Sequence, residues 1–213
     1  MSGTRSRRGP ALKIAAVWLA GVVVIGLVAA HLAAGSSSGP SAAASSGAGA
    51  GAAAAAGDPV GRVEAIAAAK RVPAAKIVGQ LLGGGRYDPA AYAGHIEVVN
   101  AWGSWCTPCQ KELPVLSRLA LATYATPVQF LGLDVGEKSM ADGEAMARRY
   151  GLPYPSIYDE DKSVYDALAP LIASGVPGTV VIDAQGRVAA TVIGAVDETQ
   201  LAAYLRQLAA GTG

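Results

Sequence analysis

A long stretch of this chain lacks the residues from which a hydrophobic core is built. From Gly35 to Asp58 the sequence is GSSSGPSAAASSGAGAGAAAAAGD, which contains only glycine, alanine, serine, one proline and one aspartate. Such a composition buries too little apolar surface to offset the entropy lost on ordering, so we expect a flexible linker over residues 35–59. The folded part is therefore expected within residues 60–213, a length suited to one domain with one core.

The residues before the linker have the pattern of a membrane anchor. Residues 14–34 contain no Asp, Glu, Lys or Arg, and the run is long enough to cross a hydrocarbon core of about 30 Å as a helix. Basic residues precede it in residues 1–13, so the positive-inside rule predicts a cytoplasmic tail and an extracytoplasmic domain. We expect a single-pass, uncleaved signal anchor in the cell membrane. A cleaved secretory peptide and a twin-arginine signal at Arg7 and Arg8 are less favoured alternatives.

The charge of the predicted outer domain argues against a nucleic-acid partner. The chain has 17 Lys and Arg residues and 16 Asp and Glu residues, which gives a formal net charge of +1. Four of the basic residues and none of the acidic ones lie in residues 1–13, so the rest of the chain carries about −3. Nucleic-acid-binding domains normally show the opposite sign, as a basic patch or stripe.

Two cysteines, Cys106 and Cys109, lie two residues apart in GSWCTPCQKELP, and the chain has no others. A disulfide between them closes a very short loop, so it contributes little to stability by restricting the unfolded chain. A zinc site needs about four ligands, and neither His31 in the apolar run nor His95 beside a predicted strand is well placed to supply one. The spacing therefore favours reversible thiol–disulfide exchange, and we expect no metal and no cofactor.

The periodicity of apolar residues predicts an α/β domain with a mixed central sheet flanked by helices. We predict strands at residues 95–102, 127–135, 156–159, 178–183 and 187–193, and helices from residue 107, at 139–150, at 162–168 and after Asp197. The CxxC pair follows the first of these strands and opens the first helix, where Pro108 is well tolerated because its missing N–H has no helical partner there.

Two segments, VVNAWGSWCTPCQKELP and GVPGTVVIDAQGRV, resemble the thioredoxin fold. Within that superfamily, which includes AhpC/TSA-Redoxin-like proteins, they are similar to the membrane-anchored TlpA/ResA/CcmG-like thiol-disulfide oxidoreductases of bacteria. The resemblance covers roughly residues 76–209. It implies a cis Val176–Pro177 bond beside the CxxC pair, with the Val176 backbone exposed to pair with an extended substrate. Gly178-Thr179 departs from the family, which often has two threonines after this proline.

The resemblance also supports roles for the residues around the two thiols. Cys106 is expected to attack the substrate disulfide, because the helix N-terminus favours its thiolate, and Cys109 is expected to resolve the mixed disulfide. Glu112 is predicted to face the thiols, and burial would raise its pKa so that it carries the proton of the resolving thiol. The alternative is that Glu112 is an exposed acid near the helix start. Asn100 occupies the place of a buried aspartate of ordinary thioredoxins.

Trp105, Thr107 and Pro108 are predicted, together with Val176 and Pro177, to contact the substrate. Trp105 is expected at the rim of the active site, whereas Trp102 is expected in the core.

The resemblance favours a dedicated reductant of protein disulfides. Such a protein receives electrons from an integral-membrane thiol protein and passes them to substrates such as the haem-site cysteines of apocytochrome c. A disulfide oxidant or isomerase for secreted proteins is the alternative, because CxxC proteins differ by about 150 mV and the Thr107-Pro108 dipeptide does not fix a quantity of that size.

Two other classes are less favoured. A copper carrier would use the thiolates and His95, but His95 precedes the strand that the CxxC pair follows. Peroxidase activity is disfavoured because NAWGSWC lacks the threonine and proline that precede a peroxidatic cysteine.

Overall fold

The computed structural model describes residues 60–173 and 175–211. The predicted cytoplasmic tail, signal anchor and linker lie outside the described residues, so these three assignments stay predictions. Within the described part of the chain, no helix has both the length and the apolar character needed to cross a membrane.

The described residues form ten β-strands and four α-helices, numbered here in chain order. The strands are β1 Val60–Gly61, β2 Val63–Ala65, β3 Gly79–Leu81, β4 Arg86–Tyr87, β5 Ile96–Trp102, β6 Val128–Val135, β7 Ser156–Asp159, β8 Gly178–Ile182, β9 Val188–Ile193 and β10 Ala195–Val196. The α-helices are α1 Thr107–Ala122, α2 Met140–Tyr150, α3 Ser163–Leu168 and α4 Glu198–Ala209. Short 3-10 helices lie at Ala68–Lys70, Pro89–Tyr92 and Ala169–Leu171.

Eight of the described strands form one mixed sheet in the order β2-β9-β8-β5-β6-β7-β3-β4. At its centre β5 pairs parallel with β6 and antiparallel with β8, and β6 pairs parallel with β7. The strands β1 and β10 form a separate parallel pair. The run β5-α1-β6-α2-β7 is followed by the β8-β9 hairpin and α4, which is a thioredoxin-like arrangement. The predicted mixed α/β fold is confirmed.

Each start or end that was predicted for a central strand or helix lies within about one residue of the observed position. The strand expected at 95–102 is β5, and the helix expected at 139–150 is α2, for which Ser139 is the N-cap. Asp197 caps α4, because its side chain accepts a hydrogen bond from the Gln200 N–H at 2.9 Å. The short strands β1 to β4 and β10 were not predicted.

Side-chain alternation along β5 decides which residues reach the active site. Val98 and Trp102 belong to the apolar cluster that contains α1 and α4 residues, whereas Val99 and Ala101 belong to the cluster that contains α3 residues. Asn100 lies between them in sequence and therefore points to the same side as Val98 and Trp102. The fold thus places one buried amide, the Asn100 side chain, against α1. Trp102 is fully buried, as predicted.

Candidate active site

Cys106 and Cys109 are joined by a disulfide at the start of α1. Cys106 is the N-cap residue of this helix, and its Sγ accepts a hydrogen bond from the Cys109 N–H at 3.1 Å. Cys106 is 4% exposed and Cys109 is 0% exposed. Because the unpaired N–H groups of a first helical turn favour negative charge, this position stabilises a thiolate at Cys106 after reduction. The placement agrees with an attacking Cys106 and a resolving Cys109.

The predicted rim residues lie around Cys106. Trp105 is 57% exposed, and its Nε1–H donates to the Val135 carbonyl at 3.1 Å. Thr107 is exposed and Pro108 is half-buried in the first turn of α1. A large aromatic surface next to Cys106 in sequence is therefore anchored by one hydrogen bond and open to a partner.

The Val176–Pro177 peptide bond is cis, as the resemblance implies. The next residue, Gly178, begins β8 opposite Ala101 of β5, one residue before the end of the strand that leads to the CxxC pair. Val176 lines a cavity of about 440 Å³ together with Trp105. The structure therefore brings Val176 and Trp105, two predicted substrate contacts, to one concave surface, and Pro177 is buried next to it.

The glycine that departs from the family pattern has a packing reason. A Cβ built on Gly178 would lie 2.9 Å from Cβ of Ile172 and 3.0 Å from the Gly175 carbonyl oxygen. The backbone passes too close to Ile172 for a threonine to fit without a shift of the neighbouring chain. Thr179, the threonine that is present, is fully buried, and its Oγ1 accepts a hydrogen bond from Asn100 Nδ2 at 3.0 Å.

Glu112 is 2% exposed and hydrogen-bonded through both carboxylate oxygens. Its Oε1 accepts from the Val196 N–H at 2.8 Å, and its Oε2 accepts from Asn100 Nδ2 at 3.0 Å. Glu112 follows Cys109 by three residues on α1, and residues at this spacing are neighbours on one helix face. The predicted burial of Glu112 is confirmed and the alternative of an exposed acid is wrong, whereas its role toward the inner thiol stays a prediction.

Burial raises the pKa of Glu112 to about 7, although its hydrogen bonds to Val196 and Asn100 favour the ionised form. The carboxyl group therefore gains and loses its proton near neutral pH.

Sequence reasoning missed Tyr154, whose buried hydroxyl has no hydrogen-bond partner in the described part of the chain. Burial raises the pKa of Tyr154, and the charge of Glu112 raises it further. Nothing in the periodicity around Tyr154 indicates this position.

The raised pKa of Glu112 predicts that the stability of the folded protein decreases as the pH rises. Because the ordinary value is 4.5 and the folded value is about 7, the unfolded chain releases this proton first. Stability is therefore fully present below about pH 4.5 and is lost as the pH rises through about 7, by up to about 3 kcal/mol. Urea unfolding from pH 4 to pH 8 checks this when wild type is compared with Glu112→Gln. Parallel curves for the two proteins would contradict it.

Comparison with known proteins identifies the family. The Redoxin family profile matches residues 67–208. The chain belongs to the Redoxin family. Its relatives include the thiol-disulfide oxidoreductase ResA of Bacillus subtilis (strain 168), 31% identical over 113 residues, which are 53% of this chain and 61% of that protein. ResA of Geobacillus thermodenitrificans (strain NG80-2) is 30% identical over 119 residues, which are 55% of this chain and 65% of that protein. The match thus spans less than two thirds of these Redoxin-family relatives.

Solved structures share the fold of this Redoxin-family chain. A DsbF homologue from Corynebacterium diphtheriae has 30% sequence identity and a TM-score of 0.64, with 68% of this chain and 92% of that chain covered. A secreted thiol-disulfide isomerase from Corynebacterium glutamicum has 27% identity and a TM-score of 0.63, with 70% of this chain and 90% of that chain covered. The resemblance to ResA/CcmG-like members of the thioredoxin superfamily is confirmed.

His95 lies at the far end of β5 from the CxxC pair in this Redoxin-family fold. It precedes Ile96, the first residue of the strand, and its Nδ1 lies 3.2 Å from the Tyr92 carbonyl oxygen. The structure does not bring His95 to the thiols, which the copper-carrier alternative requires. Over residues 60–173 and 175–211, no three His, Cys, Asp or Glu side chains are grouped so that they could hold a metal ion.

Proposed function

We propose that this protein is a thiol–disulfide oxidoreductase that reduces disulfides of other proteins outside the cytoplasm. The observation that carries the proposal is the Cys106–Cys109 disulfide at a helix N-terminus, preceded in sequence by the exposed Trp105 and followed on the same helix by the buried Glu112. The names of the ResA relatives, thiol-disulfide oxidoreductases, support the same chemistry.

In the proposed reaction two electrons and two protons pass from the reduced protein to the substrate. The Cys106 thiolate attacks one sulfur of the substrate disulfide, and the other substrate sulfur leaves as a thiolate that takes up a proton. The Cys109 thiolate then attacks the Cys106 sulfur and expels the second substrate sulfur. Because Cys109 is fully buried, its proton needs an internal acceptor, and the Glu112 carboxylate is suited to accept it and pass it on.

The proposed location is the outer face of the cell membrane. The uncharged residues 14–34 serve as the anchor, and residues 35–59 tether the domain so that it reaches neighbours in the same membrane. A CxxC pair kept reduced outside the cytoplasm needs a source of electrons, so the proposal includes an integral-membrane thiol protein as donor. The haem-site cysteines of apocytochrome c are the proposed substrate, because the resemblance to the ResA/CcmG-like proteins implies that target.

The opposite direction of electron flow is the second candidate. One of the two solved structures compared above is named a secreted thiol-disulfide isomerase, and this name favours an isomerase. The same pair of cysteines serves either direction, since the direction depends on the reduction potential of the pair relative to that of its partners.

The midpoint potential of the full-length protein, measured in glutathione or dithiothreitol buffers with thiol trapping, decides between these candidates. We expect a two-electron transition below about −230 mV, the range of reductants. An intermediate value favours an isomerase, and a midpoint above about −150 mV contradicts the reductant and indicates a disulfide donor. The Cys106→Ser variant is the control, because a single thiol cannot form the intramolecular disulfide and shows no such transition.

A further inference from the structure

The loop that leads into Cys106 is held by contacts from the segment after β6. Glu137 accepts hydrogen bonds from both the backbone N–H and the hydroxyl of Ser104, the latter at 2.7 Å. The Ser104 carbonyl in turn accepts from Gln110 Nε2 at 2.8 Å. The Cys106 N–H donates to the Gly103 carbonyl at 3.0 Å, so the loop is a tight turn. Glu137 therefore fixes the residue two positions before the attacking thiol.

A second carboxyl group, that of Asp134, is buried close to Glu137. Asp134 is 0% exposed, and neither of its oxygens accepts a hydrogen bond from a donor among the described residues. The helix α2 packs directly on it, since a Cβ built on Gly143 would lie 1.9 Å from Asp134 Oδ2. A buried, ionised carboxylate with no donor is unfavourable, so a group at this position keeps its proton.

The other titratable groups that face Asp134 are also acidic or neutral. Glu137 lies in the loop after β6, Asp142 lies on α2, and Tyr158 is the partner of Asp134 on β7. Burial raises the pKa of Asp134 to about 9, together with the charge of Glu137, a side-chain hydrogen bond between the two carboxyl groups and the charge of Asp142. A protonated Asp134 has one O–H to donate. Glu137 can accept it, because a carboxylate has about four acceptor sites and Ser104 fills two of them.

We propose that Asp134 and Glu137 share one proton, which fixes the position of the Glu137 side chain. Glu137 is then a positioning residue for the loop Gly103–Trp105, which leads into Cys106. The proposal rests on the thiol exchange proposed above. Asp134 acts through Glu137, and Glu137 acts through Ser104. Neither group exchanges atoms or electrons with the substrate.

The pair also affects the attacking thiol by its charge. With one shared proton the two carboxyl groups carry a single negative charge, and Ser104 holds that charge near Cys106. A nearby negative charge disfavours a thiolate and offsets part of the effect of the helix N-terminus. Removal of the charge favours the Cys106 thiolate, and we expect alkylation of this thiol at pH 7 to become about threefold faster.

The test compares Glu137→Gln with Asp134→Asn in the full-length protein. Three quantities are measured: the carboxyl ¹³C titration of Asp134, amide exchange at Ser104, and iodoacetamide alkylation of Cys106. The alkylation uses a Cys109→Ser background so that one thiol is present. In Glu137→Gln we expect the Asp134 titration to move towards the ordinary acid range, Ser104 exchange to become about tenfold faster, and alkylation to become about threefold faster.

Asp134→Asn is the matched control, because its amide donates to Glu137 as the protonated acid does. We expect wild-type exchange and wild-type alkylation at pH 7 in this variant. An Asp134 that titrates in the ordinary acid range in the wild type overturns the proposal even if neither variant folds. The proposal also fails if Glu137→Gln leaves all three quantities unchanged, or if Asp134→Asn behaves like Glu137→Gln. None of these readouts needs a disulfide substrate, so failure here is distinct from failure of the proposed function.

Discussion

Replacing Cys109 with serine is expected to leave the protein covalently joined to its substrate. The reduced variant keeps the Cys106 thiol at the helix N-terminus, so the first attack still occurs, but the fully buried second sulfur that releases the substrate is missing. The probe is a peptide with a C-x-x-C-H disulfide, quenched with N-ethylmaleimide so that its freed thiol cannot attack back. Mass spectrometry without reductant should show the protein–peptide adduct as the main product, whereas wild type releases the reduced peptide.

Cys106→Ser makes the same substitution at the other thiol and is the matched control. We expect no adduct from it, because its remaining thiol has no exposed surface. An adduct with Cys106→Ser and none with Cys109→Ser would reverse the two roles. An adduct with neither variant, from protein whose remaining thiol is shown to be free, would contradict thiol exchange as the function.

The central part of the fold was predictable because its strands are buried on both faces. The sequences of such strands are continuous apolar runs, and β5, β6 and β8 are runs of this kind with well-defined boundaries. The strands β1 to β4 have two or three residues each, too few for a period-2 pattern to emerge. The strands β2 and β3 form on the edges that the central strands leave open, as when Val63 pairs with Val192 of β9, whereas β1 pairs with β10 outside that sheet.

The residues of the candidate site were predictable from the sequence only where their type and their separation along the chain together indicate the chemistry. The CxxC pair and Glu112 meet that condition, because the helix that follows the strand fixes their relative positions. The contact of Glu112 with the Val196 N–H joins residues 84 positions apart, and no local pattern indicates it. Asp134 lies near the end of an apolar strand and Glu137 follows that strand, where acidic residues normally mark solvent. The burial of Asp134 depends on α2, which packs over it with Gly143.

Replacing Glu112 with glutamine is expected to slow release of the second substrate sulfur about a hundredfold at pH 7, a typical loss for one proton-transfer group. The reason is that Cys109 is fully buried and must pass its proton to an internal acceptor before it attacks. The amide of glutamine keeps the shape but takes up no proton. Stopped-flow measurement of peptide release from pH 5 to pH 9 should show an inflection near pH 7 in wild type, where Glu112 titrates, and none in the variant.

Glu198→Gln is the matched control, since Glu198 is an exposed carboxylate on α4 that pairs with Arg118, remote in function from the thiols. We expect it to leave the rate and the inflection unchanged. A second readout separates proton transfer from packing: alkylation of Cys106 should be nearly the same in Glu112→Gln and wild type, because the first attack does not use Glu112. If Glu112→Gln slowed alkylation and release equally, the glutamate would act on the structure of α1 rather than on the proton of Cys109.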